Sequence, residues 1–478
     1  MTPRLLAAAL TLALAPAAHA ADLMQTYEMA RNGDPQLAAA ESNRLAQKEG
    51  AVQARAALLP QVNGSASLNQ SAQKSTSGQT VSQGWTDTIS QRNYQATLSQ
   101  SVVNFSQYSA LRGQKALSTA ADFDLNDANN SLIVRTSAAY FNVLVAIETL
   151  AAAEAQQTAL QKQFDFAQKR LDVGLAPITD VYEAQAQFDS ARANLITSSN
   201  SLKDAYQALY EITGQPIQNL RALPDDFRPE LPSNQNVQGW VDTALAQNPS
   251  LKSIEYQVKS SEANVGAARA GHLPTLSLSG SYGRTATWGS EAVVDPETQA
   301  LLQQNTHGDS RAIGLTLNIP IFAGGATQSA VRQAIAQRDA AQDGLEQQRR
   351  AIVRNTRNAY QTLEAGISEI EARRQALISA QAAYDASQVG LEVGTRTVLD
   401  VLINQQTLFS AQQSYALSKY NYLQNRLLLT QAAGTLKIED VQEINRLLTV
   451  DADARLASPG TSTLTRPAPA ATPVPQQQ

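Results

Sequence analysis

Pro274-Thr275-Leu276-Ser277-Leu278-Ser279-Gly280-Ser281-Tyr282 sets apolar or small residues against serine along most of its length. Ile313-Gly314-Leu315-Thr316-Leu317-Asn318-Ile319-Pro320-Ile321 alternates in the same way. A two-residue period sends successive side chains to opposite faces, so each stretch predicts a β-strand with one greasy and one wet face. A weaker version lies earlier, where Tyr94, Ala96 and Leu98 alternate with Gln95, Thr97 and Ser99. The expectation is two strands in each half of the chain, at about 61–72 and 91–103, then at about 274–285 and 311–322. Polar loops are expected near 73–90 and 285–310.

Working outward from the strands, the same landmarks occur twice. Asp34-Pro35-Gln36-Leu37 returns as Asn248-Pro249-Ser250-Leu251, and Leu58-Leu59-Pro60 as His272-Leu273-Pro274. Ala139-Tyr140 returns as Ala359-Tyr360, and Val173-Gly174-Leu175 with Asp180-Val181 as Val393-Gly394-Thr395 with Asp400-Val401. The chain therefore reads as two versions of one unit, 21–214 and 237–434, placed side by side about a common axis. Each unit opens with helical pattern (22–58 and 237–271) that a proline stops, at Pro60 and Pro274. After the strands come long proline-free helical stretches, 107–172 and 327–392. About 66 residues of helix reach roughly 100 Å. Apolar positions there step by threes and fours (Tyr140, Val143, Ile147, Leu150), the mark of coiled-coil packing. A shorter helix returns after each Val-Gly turn, at 177–213 and 396–431. Residues 215–236, with Pro216, Pro224, Pro229 and Pro232, read as a connector with little regular structure. Residues 435–457 form a short closing segment. The Pro-rich tail 458–478 reads as low-complexity and disordered.

The ends and the composition narrow the function. Arg4, the apolar run Leu5 to Leu14 and Ala18-His19-Ala20 make residues 1–20 a secretory signal. The 478-residue chain carries 37 Lys and Arg against 42 Asp and Glu and has no basic run, which argues against nucleic acid as a partner. It has no cysteine, hence no disulfide framework and no lipid-modified N-terminal cysteine. His272 and His307 lie apart from carboxylates at ligand spacing, so neither a metal site nor a cofactor is expected. No nucleophile–base pair, phosphate loop or dinucleotide fingerprint points to an enzyme. After the signal, no further apolar run comes near the ~20 residues of a membrane-spanning helix. A spanning barrel leaves little hydropathy signal and stays open.

Four strands cannot close on themselves, since the smallest bacterial barrels have ~8. An open sheet edge in hydrocarbon costs several kcal/mol per unpaired backbone group. If these strands enter a membrane, several chains share one barrel, and three chains give about twelve strands. Long hairpins with an apolar seam need partners as well, and one symmetric ring satisfies both. The rival is a periplasmic coiled-coil adaptor or structural spacer whose strands form a soluble sheet.

The repeated blocks resemble the TolC-type outer-membrane channel-tunnel family over about 21–450. The matching segments include Leu58-Leu59-Pro60-Gln61, Ala139-Tyr140-Phe141-Asn142-Val143-Leu144 and Val173-Gly174-Leu175 with Ile178-Thr179-Asp180-Val181. Gly271-His272-Leu273-Pro274-Thr275, Pro320-Ile321-Phe322-Ala323-Gly324-Gly325 and Val393-Gly394-Thr395-Arg396-Thr397 with Asp400-Val401-Leu402 complete the set. The resemblance implies an α+β outer-membrane efflux protein fold: four transmembrane strands per protomer and long antiparallel coiled-coil helices forming a periplasmic α-barrel. It implies a homotrimer in outer-membrane lipid of a Gram-negative cell, with a twelve-stranded barrel. The tunnel would open at its inner end for a periplasmic membrane-fusion adaptor and an inner-membrane pump of RND, ABC or MFS type. Such a duct serves multidrug efflux or type I secretion, and its cargo is not legible.

Site residues follow in the same way. Asp180, in the first turn of a returning helix, reads as an acid favoured by the helix dipole. The resemblance adds that Thr179 and Asp180 accept hydrogen bonds from Arg396 and lock neighbouring coiled coils at the tunnel tip. Asp400, four residues after Arg396, reads as an i,i+4 partner. By resemblance it points into the closed mouth, where symmetry makes a ring of carboxylates that selects cations and raises their pKa. The family pattern has a second acid three residues on, where this chain has Ile403, and a tyrosine where it has Leu391. A mouth that binds cations less strongly and opens more easily is expected. Val173, Gly174, Leu175, Val393, Gly394 and Thr395 are αL turns, to which the resemblance adds adaptor docking. Pro60, Pro274, Pro320 and Gly324 fit the helix–strand junctions. Trp85 and Trp288 read as interface anchors or as packing residues.

Overall fold

The computed structural model describes residues 22–75, 85–231, 236–294 and 301–457. The proposed signal and tail lie outside these residues, Asp22 being the first of them. The first half runs α1 (Leu23–Gly33), α2 (Pro35–Ala56), β1 (Gln61–Ser75), β2 (Trp85–Val103), α3 (Phe105–Asp172) and α4 (Ile178–Thr213). A two-residue strand, β3 (Arg221–Ala222), follows. The second half runs α5 (Val237–Gln247), α6 (Pro249–Arg269), β4 (Thr275–Val294), β5 (Leu301–Asn318), α7 (Ala326–Glu392) and α8 (Val398–Ala433). The chain then forms α9 (Ile438–Leu447), β6 (Val450–Asp451) and α10 (Asp453–Ala457). Matched helices of the two halves have nearly equal lengths: 68 and 67 residues for the long pair, 36 and 36 for the returning pair.

Contacts divide the chain into two units. One comprises Ser42–Asp124 and Lys252–Gln347, the other the remainder. The first unit holds the sheet, antiparallel throughout, in the order β1-β2-β4-β5. Its register sets Val62 opposite Leu98, Leu98 opposite Gly280 and Gly280 opposite Ile313. Residues opposite one another share a face. Val62, Ala66, Leu68, Ala96, Leu98, Leu276, Leu278, Ile313, Leu315 and Leu317 thus line one face, and Asn63, Ser65, Thr97, Ser99, Ser277, Ser279 and Thr316 the other. The apolar face is uncovered in the single chain, Ile313 being 82% exposed. Among the described residues, β1 and β5 each pair along one edge.

The strands are longer than the alternation suggests. β1 reaches Ser75, β4 reaches Val294 and β5 begins at Leu301, inside the stretches expected as polar loops. The ladder is held by backbone hydrogen bonds, which need no apolar side chain, so loss of alternation did not mark a strand end. At the other end β5 stops at Asn318 rather than near 322, because Pro320 has no N–H to donate to a ladder.

The second unit is built on α1, α4, α5, α8, α9 and long stretches of α3 and α7. Its core gathers Leu23, Leu132, Tyr140, Leu144, Ile147, Leu209, Leu363, Tyr420, Leu427 and Ile444. Burying each such side chain contributes roughly 1.5–3 kcal/mol. One window of α3 is apolar enough to cross a membrane, contrary to expectation, but 67% of it is buried inside the chain, so core packing accounts for its composition.

The opening helical patterns are each broken, at Asp34-Pro35 and Asn248-Pro249. Proline suits the first helical position, and the preceding side chain caps the new helix. Asp34 Oδ1 accepts from Gln36 N at 3.2 Å, and Asn248 Oδ1 from Leu251 N at 3.2 Å. The connector is less free than its prolines suggest. β3 pairs with β6, and tyrosine hydroxyls hold its backbone. Tyr140 Oη accepts from Arg221 N at 2.8 Å and donates to Arg221 O at 2.9 Å. Tyr415 Oη donates to Asp225 O at 3.1 Å, and Tyr422 Oη accepts from Glu230 N at 3.1 Å. Burial pushes the Tyr140 phenol well above its usual range, so it stays protonated and able to donate.

Candidate functional site

Two helix turns carry most of the candidate residues. α3 ends in a Schellman closure, with Leu175 N donating to Arg170 O at 2.8 Å and Gly174 N to Leu171 O at 2.9 Å. α7 ends alike, Thr395 N reaching Gly390 O at 2.8 Å and Gly394 N reaching Leu391 O at 3.2 Å. Both closures need a left-handed residue, and Gly174 (φ 75°) and Gly394 (φ 78°) supply it. A Cβ at either would meet nothing within 4 Å, so the constraint is conformational and the turns stand in open space. Val173 and Val393 are each 68% exposed, and Leu175 is similarly bare. Two short sequences thus present apolar side chains at tight turns.

Pro177 occupies the N-cap of α4 and leaves Thr179 and Asp180 in its first turn. Asp180 therefore has the dipole-favoured position expected of it. Arg396 precedes the N-cap of α8, which is Thr397. It forms no hydrogen bond or ion pair with Thr179 or Asp180 within the single chain, among the described residues. Nor is it one helical turn from Asp400, because residue 396 lies outside the helix.

Asp400 has a local partner instead. Thr397 N donates to Asp400 Oδ2 at 3.0 Å, and Asp400 N donates to Thr397 Oγ1 at 3.2 Å, a reciprocal capping box. Hydrogen bonds from Thr397, with a smaller contribution from the Arg396 charge, hold the Asp400 carboxyl below its usual pKa. The upward shift expected from crowded carboxylates is absent in the single chain, since the other carboxylates of such a ring belong to other copies. The Thr397-x-x-Asp400 spacing is the sequence signal of this box. Ile403, in place of the second acid, is 56% exposed on α8. Leu391 sits in the last turn of α7.

The two hairpins are joined behind their tips. Leu160 of α3, Ala191 of α4 and Leu402 of α8 form one small buried cluster, with Phe188 and Val398 against it. Ala167, Val181 and Ala184 form another, and Gln156 Nε2 donates to Gln406 Oε1. The junction residues flank strands: Pro60 and Pro274 immediately precede β1 and β4, and Pro320 and Gly324 follow β5. Gly324 takes a left-handed φ of 59° in the turn before α7.

The sequence matches the family described as outer membrane efflux protein over residues 26–215 and 240–435. It is 35% identical over 430 residues to outer membrane protein TolC of Escherichia coli (strain K12), covering 90% of this chain and 85% of that one. It is 29% identical over 432 residues to the alkaline protease secretion protein AprF of Pseudomonas aeruginosa, covering 89% and 87%. In fold it resembles the Campylobacter jejuni CmeC outer membrane channel, with a TM-score of 0.69 at 19% identity, covering 89% of this chain and 90% of that one. By name these are an outer membrane protein, a secretion protein and an outer membrane channel. With two matched segments embracing both sheet-bearing halves, the chain belongs to the outer membrane efflux protein family.

Proposed function

We infer that the protein is the outer-membrane duct of an efflux pump or a type I secretion apparatus. One observation carries this reading. The sheet has a continuous apolar face and, among the described residues, an unpaired edge on each of β1 and β5, which together fit lipid only when other copies supply the missing strands. Three copies supply twelve strands, an even number within the range of bacterial barrels.

The finer assignments rest on family membership and local geometry. Val173, Gly174, Leu175, Val393, Gly394 and Thr395 form the docking tips for the helical hairpin of a periplasmic adaptor, which couples the duct to an inner-membrane pump. Thr179, Asp180 and Arg396 make a lock whose bonds run between hairpins of neighbouring copies, consistent with their lack of a mutual bond inside one chain. Asp400 lines the closed mouth, its carboxylate oriented by Thr397.

The test is extraction of the outer membrane in mild detergent, followed by sizing and planar-bilayer recording. A trimer that conducts is expected, with conductance rising in Arg396→Ala as the lock is lost. A water-soluble monomer with an intact sheet would overturn the reading in favour of a periplasmic adaptor or spacer.

A further inference from the structure

The apolar face of the sheet ends in a basic collar. Leu68, Arg92, Ala286 and His307 lie in one cross-strand row. Ala66, Tyr94, Arg284 and Asp309 form the next, and Gly64, Ala96, Tyr282 and Arg311 the one below. All share the face of Leu98, Leu278 and Ile313. Arg92, Arg284 and Arg311 thus climb diagonally across three adjacent strands, within reach of one another at roughly 7–8 Å per step. All three are exposed. The Arg92 guanidinium lies 5.6 Å from the Tyr94 ring centroid, and that of Arg311 lies 5.5 Å from the Tyr282 centroid. The one carboxylate in these rows, Asp309, is 3.7 Å from Arg284, and an exposed pair of that length contributes little. Three guanidiniums against one carboxylate leave the collar positive.

Its height is informative. Pro60, Pro274 and Pro320 put the helix junctions at one end of the sheet, and the collar lies toward the other. From Ile321 back to Arg311, exposed apolar residues alternate through Ile319, Leu317, Leu315 and Ile313. At strand rise and a tilt of about 40° the part inside β5, Asn318 to Arg311, rises about 18 Å, and Ile319 and Ile321 beyond the strand carry the apolar row on toward the ~25 Å of the lipid-facing band of bacterial barrels. A ligand at the collar therefore has hydrocarbon on one side and water on the other.

We infer that Arg92, Arg284 and Arg311 hold the phosphate-bearing headgroups of outer-leaflet lipid. The planar guanidinium matches phosphate oxygens two at a time, and stacking on Tyr94 and Tyr282 steadies its orientation. Tyrosine also favours the membrane–water boundary. A soluble anion would use the charges but leave the contiguous apolar residues uncovered, whereas a lipid uses both. The inference rests on the proposed function, in which the sheet spans the outer membrane and the helices lie on the periplasmic side.

The experiment uses full-length trimer, delipidated in detergent and offered purified diphosphorylated lipid A, with retained lipid counted per trimer. Wild type should retain it, and Arg92→Gln/Arg284→Gln/Arg311→Gln should retain it at least ~10-fold more weakly, since several charge-assisted bonds are lost. The triple lysine variant keeps the charge and should recover part of the binding. Dephosphorylated lipid A should bind wild type no better than the glutamine variant, and millimolar inorganic phosphate should not compete. Equal retention by wild type and glutamine variant, or equal binding of the dephosphorylated lipid, overturns the inference. Bilayer conductance separates the two failures. Wild type that does not conduct sinks the duct, and a glutamine variant that conducts normally shows that any lost lipid reflects the collar and not the fold.

Discussion

At the scale of single residues, the tips are where side-chain identity matters most. An added Cβ at Gly174 or Gly394 meets open space, so Gly174→Val and Gly394→Val act through backbone strain, at least about 1–2 kcal/mol each for a left-handed L-residue. Export should be lost while the trimer persists on sizing, because the tip side chains Val173, Leu175 and Val393 stand exposed and none belongs to a buried cluster. Loss of the trimer would make the turns matters of folding alone. Asp400 makes a second case. Its folded pKa is lowered, so its cap stabilises α8 above the usual aspartate value of about 3.9 and is lost as pH falls through the depressed folded value. Amide protection of Asp400 and Val401, measured against Leu408 by hydrogen exchange, should drop across that window, and Asp400→Asn should abolish the dependence. In the assembled duct, trivalent cations should block weakly, because Ile403 replaces a second acid. Any block should vanish in Asp400→Ala, and block that survives that change would show the carboxylate ring to be wrong.

At the scale of elements, the two halves solve one problem in different ways. Asp34 and Asn248 occupy the same place, each capping the helix that follows. Asp34 is buried and forms an ion pair with Arg135. Asn248 is neutral, and its amide donates to Ala432 O at 3.0 Å. Removing a partner from a buried charge is costly, so Arg135→Ala should destabilise by on the order of 2–3 kcal/mol, moderated by the partial exposure of Arg135. Asp34→Asn should cost less, and chemical denaturation of the two variants measures the difference. Much of this architecture was legible, because the period switches from two to three-and-four at prolines and the switch happens twice. The strand ends were not, since Gln70–Ser75 and Leu301–Ser310 are held by backbone pairing that leaves no pattern in side chains. The hold on the connector was equally hidden: nothing in the spacing of Tyr140, Tyr415 and Tyr422 says where a hydroxyl points. Of the site, the glycine turns and Asp180 could be read directly, whereas the proposed lock of Arg396 with Thr179 and Asp180 would run between copies of the chain.

At the scale of the whole molecule, the edges of β1 and β5 that are unpaired among the described residues would dictate how copies meet in the proposed barrel. The absence of cysteine makes this testable, because any introduced thiol pair is unique. A panel joining one position of β1, such as Asn63→Cys, to positions across β5, such as Thr316→Cys, should yield on oxidation a covalent ladder that stops at three chains. Single-thiol variants should yield no such ladder, and monomers closed on themselves would rule out a shared barrel. In the proposed ring the joint between copies runs head to tail, with β5 of one meeting β1 of the next, so every joint is the same joint. This has a genetic corollary. An allele that ruins only the β5 edge still offers a sound β1, enters rings alongside normal subunits and leaves them unsealed, so it should behave as dominant-negative in a cell carrying both alleles. An allele that fails to fold should be recessive.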